Sequence, residues 1–263
     1  MTSDPADQWY SERDISTTLV KGIKVLSAFD DAHARLTLPE IGRVTGYDRA
    51  TVRRLIITLI DLGFVVKTDK YFSLTPKILS LSGNYLRSHG VGASVQPVLN
   101  RYSQGIGKEI SLAVLSDGFA IYLARSNMTG SDVSFGFTVG SRLPLLHTAL
   151  GRMLLATLQT EAMQALIETG SVIQYTADSL MDRRAIEADI KTAGDQGFAL
   201  VSNEFEPGVA GLAVPVGHLG KAKAVIGISA PVATLQDPQM YDDCLSALQL
   251  CANELDRVWV EGP

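Results

Sequence analysis

Cysteine, long apolar runs and targeting signals are scarce or missing in this sequence. Only two cysteines occur, Cys244 and Cys251, in a stretch with helical periodicity, and this pattern fits neither a disulfide framework nor a zinc site. No apolar run approaches the roughly 20 residues that span a bilayer, and the acidic N-terminal residues lack the order of a signal peptide. We therefore expect a cytoplasmic protein whose cysteines are core thiols.

Enzyme signatures are also missing. The sequence has no Gly-x-Ser-x-Gly elbow, no phosphate-binding Gly-x-x-x-x-Gly-Lys loop, no His-Glu-x-x-His and no Cys/His cluster at metal spacing. Of the four histidines, His147 and His218 stand isolated in the sequence, which favours structural or solvated roles. We expect no catalytic residue, no metal and no cofactor.

Neither sign of charge dominates the whole chain, but the two signs are unevenly distributed. The 263 residues include 23 Lys and Arg and 28 Asp and Glu, for a formal net charge of −5. Residues 15–90 carry 11 basic and 6 acidic residues, whereas residues 91–263 carry 11 basic and 18 acidic residues. A small cationic segment thus precedes a larger anionic one, and the length allows two domains with separate cores.

The cationic segment has the pattern of a winged helix-turn-helix. Apolar residues at helical spacing between positions 19 and 59 predict three short helices. Gly46 falls at the tight turn before the third helix, and Asp48 is a suitable N-cap for it. Two β-branched and aromatic runs within 64–74 predict a hairpin, and Thr75-Pro76 predicts the start of a further helix.

The outward side of the third helix is cationic and polar when Val52, Leu55, Ile56 and Leu59 face the core. Arginine can donate two hydrogen bonds to guanine, and threonine can contact a base edge or a phosphate. Flanking arginines and hairpin lysines are placed to contact phosphates. The predicted DNA-contacting residues are Arg43, Arg49, Ala50, Thr51, Arg53, Arg54, Thr58, Lys67 and Lys70. Two alternatives stay open, a merely solvated helix surface and a winged helix that contacts only protein.

Beyond the turn-rich segment 89–92, predicted helices and strands alternate. Hairpin-like pairs, such as one that turns at Asp117-Gly118, favour a mostly antiparallel sheet flanked by helices, which is an α+β fold. Strands are expected near 110–115, 120–124, 133–137, 199–201, 211–216 and 224–229, and helices near 95–102, 148–158, 161–168, 180–193 and 241–259. We predict a winged helix-turn-helix over 15–75, a linker helix over 76–91 and a second domain over 92–263.

The runs Leu19-Val-Lys-Gly-Ile-Lys-Val-Leu, Arg49-Ala-Thr-Val-Arg-Arg-Leu and Thr75-Pro-Lys-Ile-Leu resemble the DNA-binding half of IclR-type transcriptional regulators. They are most similar to the PcaR/PcaU/PobR branch of that family, which responds to aromatic acids. The likeness extends over roughly residues 15–258, although Tyr47-Asp48 stands where a Leu-Ser pair is common. It implies a GAF-like effector-binding second domain, operator DNA and a small organic acid as partners, and a homodimer or tetramer.

The resemblance also implies where the acid binds. Ala149 and Leu150 match the backbone amides that hold the effector carboxylate at a helix N-terminus, where the helix dipole favours an anion. Arg142 is a candidate counter-ion, although a surface ion pair explains it equally well. The other matched pocket positions are Ser202, Asn203, Gly211, Gly227 and Ser229.

The two glycines replace larger or polar residues of regulators that bind small keto acids, so we expect a roomier pocket that accepts an aromatic ring. Tyr122 and His147 are candidates to hydrogen-bond a ring hydroxyl, while ordinary core roles explain them at least as well. We predict a transcriptional regulator that responds to an aromatic acid such as 4-hydroxybenzoate or protocatechuate.

The first helix and the stripe Ile78, Leu81 and Tyr85 are candidate dimer surfaces, although burial within one subunit would explain them too. The main alternative function is an enzyme acting on a small carboxylic acid with an accessory winged helix. A further alternative is a protein-interaction module that uses the winged helix to dimerise.

Overall fold

The computed structural model describes residues 10–30, 33–127, 137–220 and 222–259. The chain divides into two compact units, one that ends at Tyr85 and one that begins at Leu86. Each unit contains its own hydrophobic core. The predicted domain limits at 75 and 92 bracket this division.

The N-terminal unit consists of three helices and a hairpin. Its helices are α1 (Thr17–Leu26), α2 (Leu38–Thr45) and α3 (Arg49–Asp61), and its strands are β1 (Val65–Thr68) and β2 (Tyr71–Leu74), which pair antiparallel. The small core joins Val25 of α1, Ile41 of α2, Ile56 of α3 and Phe72 of β2. The element order confirms the predicted winged helix-turn-helix.

Local hydrogen bonds determine the turn between α2 and α3. Gly46 ends α2 with a φ of 75°, a left-handed conformation that glycine adopts without strain. The Asp48 carboxylate accepts the amides of Ala50 and Thr51, both at 2.9 Å. Hydrogen bonds from the hydroxyl and amide of Thr51 hold the pKa of Asp48 below its usual value. Both the predicted turn and the predicted N-cap are therefore present.

The next helix, α4, spans Ile78–Ser88 and begins two residues later than the sequence predicts. The Thr75 hydroxyl donates to the Gly63 carbonyl at 2.6 Å and accepts the Lys77 amide at 3.3 Å. Residues 75–80 make i to i+3 hydrogen bonds, so this segment is wound more tightly than an α-helix. Regular α-helical structure therefore starts at Ile78 rather than at Pro76.

The C-terminal unit is built on a six-stranded sheet with the order β5-β4-β3-β8-β7-β6, in which every neighbouring pair is antiparallel. A π-helical turn at Val91–Val95 leads into its first complete helix. Its strands are β3 (Ile110–Ser116), β4 (Phe119–Arg125), β5 (Arg142–Pro144), β6 (Ala199–Ser202), β7 (Val209–Val216) and β8 (Ala224–Pro231). Its helices are α5 (Gln96–Ile106), α6 (Ala149–Ala156), α7 (Thr160–Thr169), α8 (Arg183–Gln196), α9 (Val232–Gln236) and α10 (Pro238–Val258).

Helices cover both faces of this sheet, as predicted. Alternate strand residues point to opposite faces, so Leu112 belongs to the core under α5 and α10 while Ala113 belongs to the core under α6, α7 and α8. The helix α6 is central to the second core, because every residue from Ala149 to Leu155 is buried.

Some elements differ from the prediction. The predicted strand 133–137 lies outside the described residues except for Phe137, which belongs to no strand. Strand β5 and helix α9 were not predicted, because three and five residues are too few to show a clear hydrophobic period. The remaining helices and strands occur where expected, with ends that shift by a few residues.

Both cysteines lie on α10, and both are fully buried and unpaired. Burial raises the pKa of the Cys251 thiol to about 12, and it raises that of Cys244 as well. No group of residues in the described part of the chain has the composition of a metal site. None of the helices there is long and apolar enough to cross a bilayer.

Small residues allow α6 to lie directly against its neighbours. A Cβ added at Gly151 of α6 would lie 2.4 Å from the carbonyl oxygen of Leu145, closer than two such atoms can approach. A Cβ added at Gly227 of β8 would lie 2.6 Å from the Leu212 carbonyl oxygen and 3.0 Å from a methyl group of Leu150. The position of the α6 N-terminus thus depends on the absence of these side chains.

We predict that Gly151→Ala lowers the free energy of unfolding by about 1–3 kcal/mol, because the new methyl group must displace backbone. The matched control is Gly105→Ala on α5, where an added Cβ meets no atom within 4 Å and helix propensity should raise stability by about 0.5–1 kcal/mol. Urea unfolding followed by circular dichroism measures both. Equal effects of the two substitutions would contradict the close approach at Gly151.

Candidate functional site

The outward side of α3 carries the polar set that the sequence predicts. Val52, Leu55, Ile56 and Leu59 are buried, and Ala50, Arg53, Arg54, Ile57 and Thr58 are exposed. Two hydroxyl groups on this side donate hydrogen bonds within the protein. Thr51 donates to the Asp48 carboxylate at 2.7 Å, and Thr58 donates to the Arg54 carbonyl at 3.1 Å. These threonines can therefore accept hydrogen bonds from a ligand more readily than donate them.

A groove separates α3 from the hairpin. Its α3 wall contains Arg49 and Arg53, and its hairpin wall contains Lys67 and Lys70. Apolar side chains, among them Ile57, form part of the surface between these cations. A concave cationic surface beside an exposed helix suits a polyanion. Arg43 is exposed on α2 but does not line this groove.

Two lysines of α1 lie beside Tyr47, just before α3, and the sequence analysis did not single them out. The Lys21 and Lys24 ammonium groups lie 5.8 and 5.3 Å from the centre of the Tyr47 ring, within the range of a cation–π interaction. Tyr47 immediately precedes the Asp48 cap of α3. The unusual Tyr47-Asp48 pair was the signal in the sequence, since the aromatic ring holds positive charge near the start of the exposed helix.

The C-terminal unit contains a cavity between the sheet and the N-terminus of α6. The space within it that is open to water-sized molecules is about 50 Å³. Its lining residues are Tyr122, Phe137, Leu143, His147, Thr148, Ala149, Leu150, Val201, Glu204, Phe205, Glu206, Val209, Gly211, Ile228 and Ser229.

Aromatic rings dominate one side of the cavity. The Phe137 ring lies 6.1 Å from the rings of both Tyr122 and Phe205, measured between ring centres. Tyr175 meets Phe205 edge-on at 5.0 Å and His147 edge-on at 5.5 Å. Aromatic pairs favour such tilted and edge-on contacts, so this wall is suited to a planar apolar ring.

The start of α6 forms another part of the wall. The Thr148 hydroxyl accepts the Gly151 amide at 3.1 Å and donates to the Pro144 carbonyl at 2.7 Å. The amides of the first helical turn have no partner inside the helix, and the first two belong to the cavity-lining residues Ala149 and Leu150. Together with the helix dipole they can bind an anion.

A buried cation lies behind the cavity. Arg152 of α6 is only 2% exposed. Its guanidinium donates to Glu204 and to Asp189, both at 2.7 Å, and its Nε donates to the Leu146 carbonyl at 2.8 Å. Sequence analysis missed this residue, although a lone arginine within an otherwise apolar helix is a recognisable signal, because a buried charge needs a partner.

The Glu204 carboxylate is the centre of this network. Its Oε2 atom accepts from Arg152, from the Leu180 amide at 3.0 Å and from Nδ1 of His147 at 3.2 Å. Burial alone would raise the pKa of Glu204, but the hydrogen bond from His147 and the charge of Arg152 outweigh burial and hold the pKa below its usual value. Glu204 is therefore an anion at neutral pH.

The structure brings some predicted effector residues together and leaves others apart. Tyr122, His147, Ala149, Leu150, Gly211 and Ser229 line the cavity, whereas Arg142, Ser202, Asn203 and Gly227 do not. Arg142 is exposed on β5 with its guanidinium 5.4 Å from the centre of the Phe119 ring. The extra room expected at Gly227 is not found, because the side chain of Leu150 packs there.

Comparison with known proteins identifies both units. The model of the bacterial transcriptional regulator IclR C-terminal domain matches residues 83–257, and that of the IclR helix-turn-helix domain matches residues 18–69. The chain is 31% identical over 243 residues to the Pca regulon regulatory protein of Pseudomonas putida, which covers 92% of this chain and 84% of that protein. That relative is a regulator and not an enzyme.

Two solved structures are informative for the C-terminal unit. An IclR homologue from Microbacterium hydrocarbonoxydans complexed with 4-hydroxybenzoate is 21% identical with a TM-score of 0.71, covering 92% of this chain and all of that one. A double mutant of the PobR inducer-binding domain from Acinetobacter in complex with 3-hydroxybenzoic acid is 27% identical with a TM-score of 0.56. It covers 62% of this chain and 95% of that one.

We predict that the two carboxylates on Arg152 contribute very unequally to stability. Glu204→Gln leaves the buried guanidinium without its buried counter-ion and should cost about 3 kcal/mol. Asp189→Asn is the matched control, since the Asp189 side chain is 42% exposed and its loss should cost less than about 1 kcal/mol. Urea unfolding measures both, and comparable costs would contradict a dominant buried pair.

The stabilisation contributed by the Arg152–Glu204 ion pair should depend on pH. Because the pKa of Glu204 is lowered in the folded state, its charge stabilises the protein fully above the ordinary pKa of 4.5, and this contribution is lost as pH falls through the folded-state pKa. The stability difference between wild type and Glu204→Gln should therefore shrink below about pH 4.5. A constant difference down to acid pH, measured by urea unfolding, would contradict this assignment.

Proposed function

Because the chain belongs to the IclR family of bacterial transcriptional regulators, we propose that it binds operator DNA through α3 and the hairpin and responds to an aromatic acid held in the cavity. The aromatic wall beside the α6 N-terminus carries the second part of this proposal. Phe137, Tyr122 and Phe205 offer aromatic surface to a planar ring, and a carboxylate suits the first-turn amides. We place this regulator in the cytoplasm, where DNA is accessible.

The DNA-binding role follows from the charge and exposure of one surface. Arg53 and Arg54 are exposed on α3 and are the candidates to contact bases, while Arg49, Lys67 and Lys70 are placed to contact phosphates. Ala50 and Thr51 lie near the start of α3, and Thr58 and Arg43 lie at the edge of this surface. Lys21 and Lys24 extend it with two further cations. Sequence would then be read by a few side chains and orientation supplied by the others.

We expect Arg53→Ala to weaken binding to DNA from upstream of the protein's own gene by about 1–3 kcal/mol and to lower the salt dependence. Arg184→Ala removes an exposed arginine from α8 and should leave both unchanged. A mobility-shift titration at several salt concentrations measures these effects. Binding that is insensitive to salt or to Arg53→Ala would overturn the DNA-reading role.

In this proposal the cavity makes two kinds of contact with the effector, one with its carboxylate and one with its ring. The α6 amides of Ala149 and Leu150 hold the carboxylate, as the dipole of a helix start favours an anion. Tyr122, Gly211 and Ser229 contact the ring or border it. Ser202, Asn203, Gly227 and Arg142 stand outside the cavity lining. Glu206 and Val209 also line the cavity.

We predict that isothermal titration gives clear binding of 4-hydroxybenzoate or protocatechuate and none of pyruvate. Val209→Trp should abolish the aromatic signal because the larger side chain fills the cavity, whereas Leu200→Trp, at an exposed position of β6, should retain it. DNA binding without ligand serves as the folding control. Clear binding of pyruvate without binding of hydroxybenzoates would refute the aromatic class.

Exposed apolar side chains support the proposal that the protein forms a dimer. On α1, Leu19 is 65% and Ile23 54% exposed, and α4 buries none of its residues in the described chain. A second copy would bury these surfaces and pair two recognition helices on one operator. We expect Leu19→Asp to lower the dimer fraction in sedimentation velocity, and Leu250→Asp, at a 58% exposed leucine of α10, to leave it unchanged.

The effector would act on DNA binding by favouring one arrangement of two DNA-binding units over another. The predicted linker 76–91 contains α4, in which the division between the two units falls. A helix that is continuous across this division is suited to transmit a displacement. We therefore assign the winged helix to 15–75, the linker to 76–91 and the effector domain to 92–263.

A further inference from the structure

One nitrogen of the His147 imidazole is hydrogen-bonded and the other is not. The side chain is fully buried and belongs to the cavity wall. Its Nδ1 atom lies 3.2 Å from Oε2 of Glu204, whereas Nε2 is buried and has no hydrogen-bond partner among the described residues. A buried polar atom without a hydrogen-bond partner destabilises the folded protein. Such an atom in a cavity wall indicates a position where a ligand completes the hydrogen bonding.

The partner of Nδ1 determines what Nε2 can do. Glu204 is a carboxylate that already accepts from Arg152 and from the Leu180 amide, and a carboxylate can only accept. The hydrogen bond between Nδ1 and Glu204 therefore requires the proton on Nδ1. A neutral imidazole with this proton has a lone pair on Nε2. In that tautomer, His147 carries a hydrogen-bond acceptor in the wall of the cavity.

The surroundings keep the ring in this orientation. Tyr175 meets the imidazole edge-on, with 5.5 Å between ring centres, and Tyr175 in turn rests against Phe205. Glu204 is fixed by the buried guanidinium of Arg152, which is itself bound to Asp189 and to the Leu146 carbonyl. The imidazole cannot easily turn over, since it would lose its carboxylate partner.

We propose that Nε2 of His147 is a hydrogen-bond acceptor that selects effectors with a donor group on the ring, a hydroxyl or an amino group, over acids without one. This inference rests on the proposed function, since it requires an aromatic acid in the cavity. Glu204 lines the same cavity, and its negative charge disfavours a carboxylate or another acceptor at this position. Glu204 and Arg152 are positioning residues, because they orient His147 and need not touch the ligand.

The first test compares ligands of similar size on the full-length wild type. Isothermal titration should give dissociation constants for 4-hydroxybenzoate or 3-hydroxybenzoate that are about tenfold or more below that of the fluorobenzoate with the same substitution pattern. The aminobenzoate should behave like the hydroxybenzoate. Comparison of the 3- and 4-substituted pairs identifies the ring position that meets Nε2. Equal affinity within both pairs would overturn the selection of a donor.

The second test uses substitutions to change the ratio of the dissociation constants of the hydroxybenzoate and the fluorobenzoate. In His147→Phe, the ratio of the two dissociation constants should fall to about one, because the acceptor is gone while the ring remains. Tyr122→Phe removes the other candidate partner of a ring hydroxyl, and the ratio should fall less in this variant than in His147→Phe. Loss of the ratio in Tyr122→Phe but not in His147→Phe would overturn the assignment to His147.

The third test measures the tautomer of His147 directly and does not depend on ligand binding. Long-range ¹H–¹⁵N spectra of histidine-labelled wild type resolve the tautomers of the four histidines, and the signal missing in His147→Phe, or in His147→Gln if the former does not fold, belongs to His147. We expect a proton on Nδ1 and none on Nε2. A proton on Nε2, alone or together with one on Nδ1, would overturn the proposal.

These outcomes separate the two levels of inference. If wild type binds no aromatic acid, the proposed effector class fails. If it binds hydroxy and fluoro acids equally, the effector class stands and only the selection by His147 fails.

Discussion

The buried charge of Arg152 constrains the arrangement of the C-terminal unit. A guanidinium taken out of water must be compensated by partners in fixed positions, and here those partners are Glu204, Asp189 and the Leu146 carbonyl. They belong to three separate parts of the chain. Helix α6, helix α8 and the segment after β6 are thereby held in one arrangement, and the same contacts hold Glu204 against His147 at the cavity.

The close packing of α6 against the sheet complements this polar network. Gly151, Gly211 and Gly227 contribute no side chain of their own to these contacts, and a Cβ at Gly211 would already lie 3.1 Å from that of Ala149. Apolar contact therefore sets the distance of the helix from the sheet, and the ion pair sets its rotation and register. Both are needed to place a helix start and an imidazole on the wall of one cavity.

The N-terminal unit could be predicted almost completely from sequence, because its determinants are local. Gly46, the Asp48 cap and the period of Val52, Leu55, Ile56 and Leu59 all act within a few residues. The cavity could be predicted only in part. Phe137, Tyr175 and Phe205 lie in irregular segments that are far apart in the sequence, so no periodic pattern links them. The resemblance to a family indicated Ala149 and Leu150, but it also indicated Gly227, which lies outside the cavity lining. Arg142, chosen because a guanidinium can pair with a carboxylate, lies outside the lining as well.

The two buried cysteines of α10 should resist oxidation while the protein is folded. A thiol reacts with oxidants and with labelling reagents as the thiolate, and burial holds the pKa of Cys251 near 12, so almost none is ionised at neutral pH. Peroxide therefore has no ready target on α10 while the C-terminal core is closed. Reaction of these thiols requires the helix to open, so its rate reports how often this core exposes its interior to solvent.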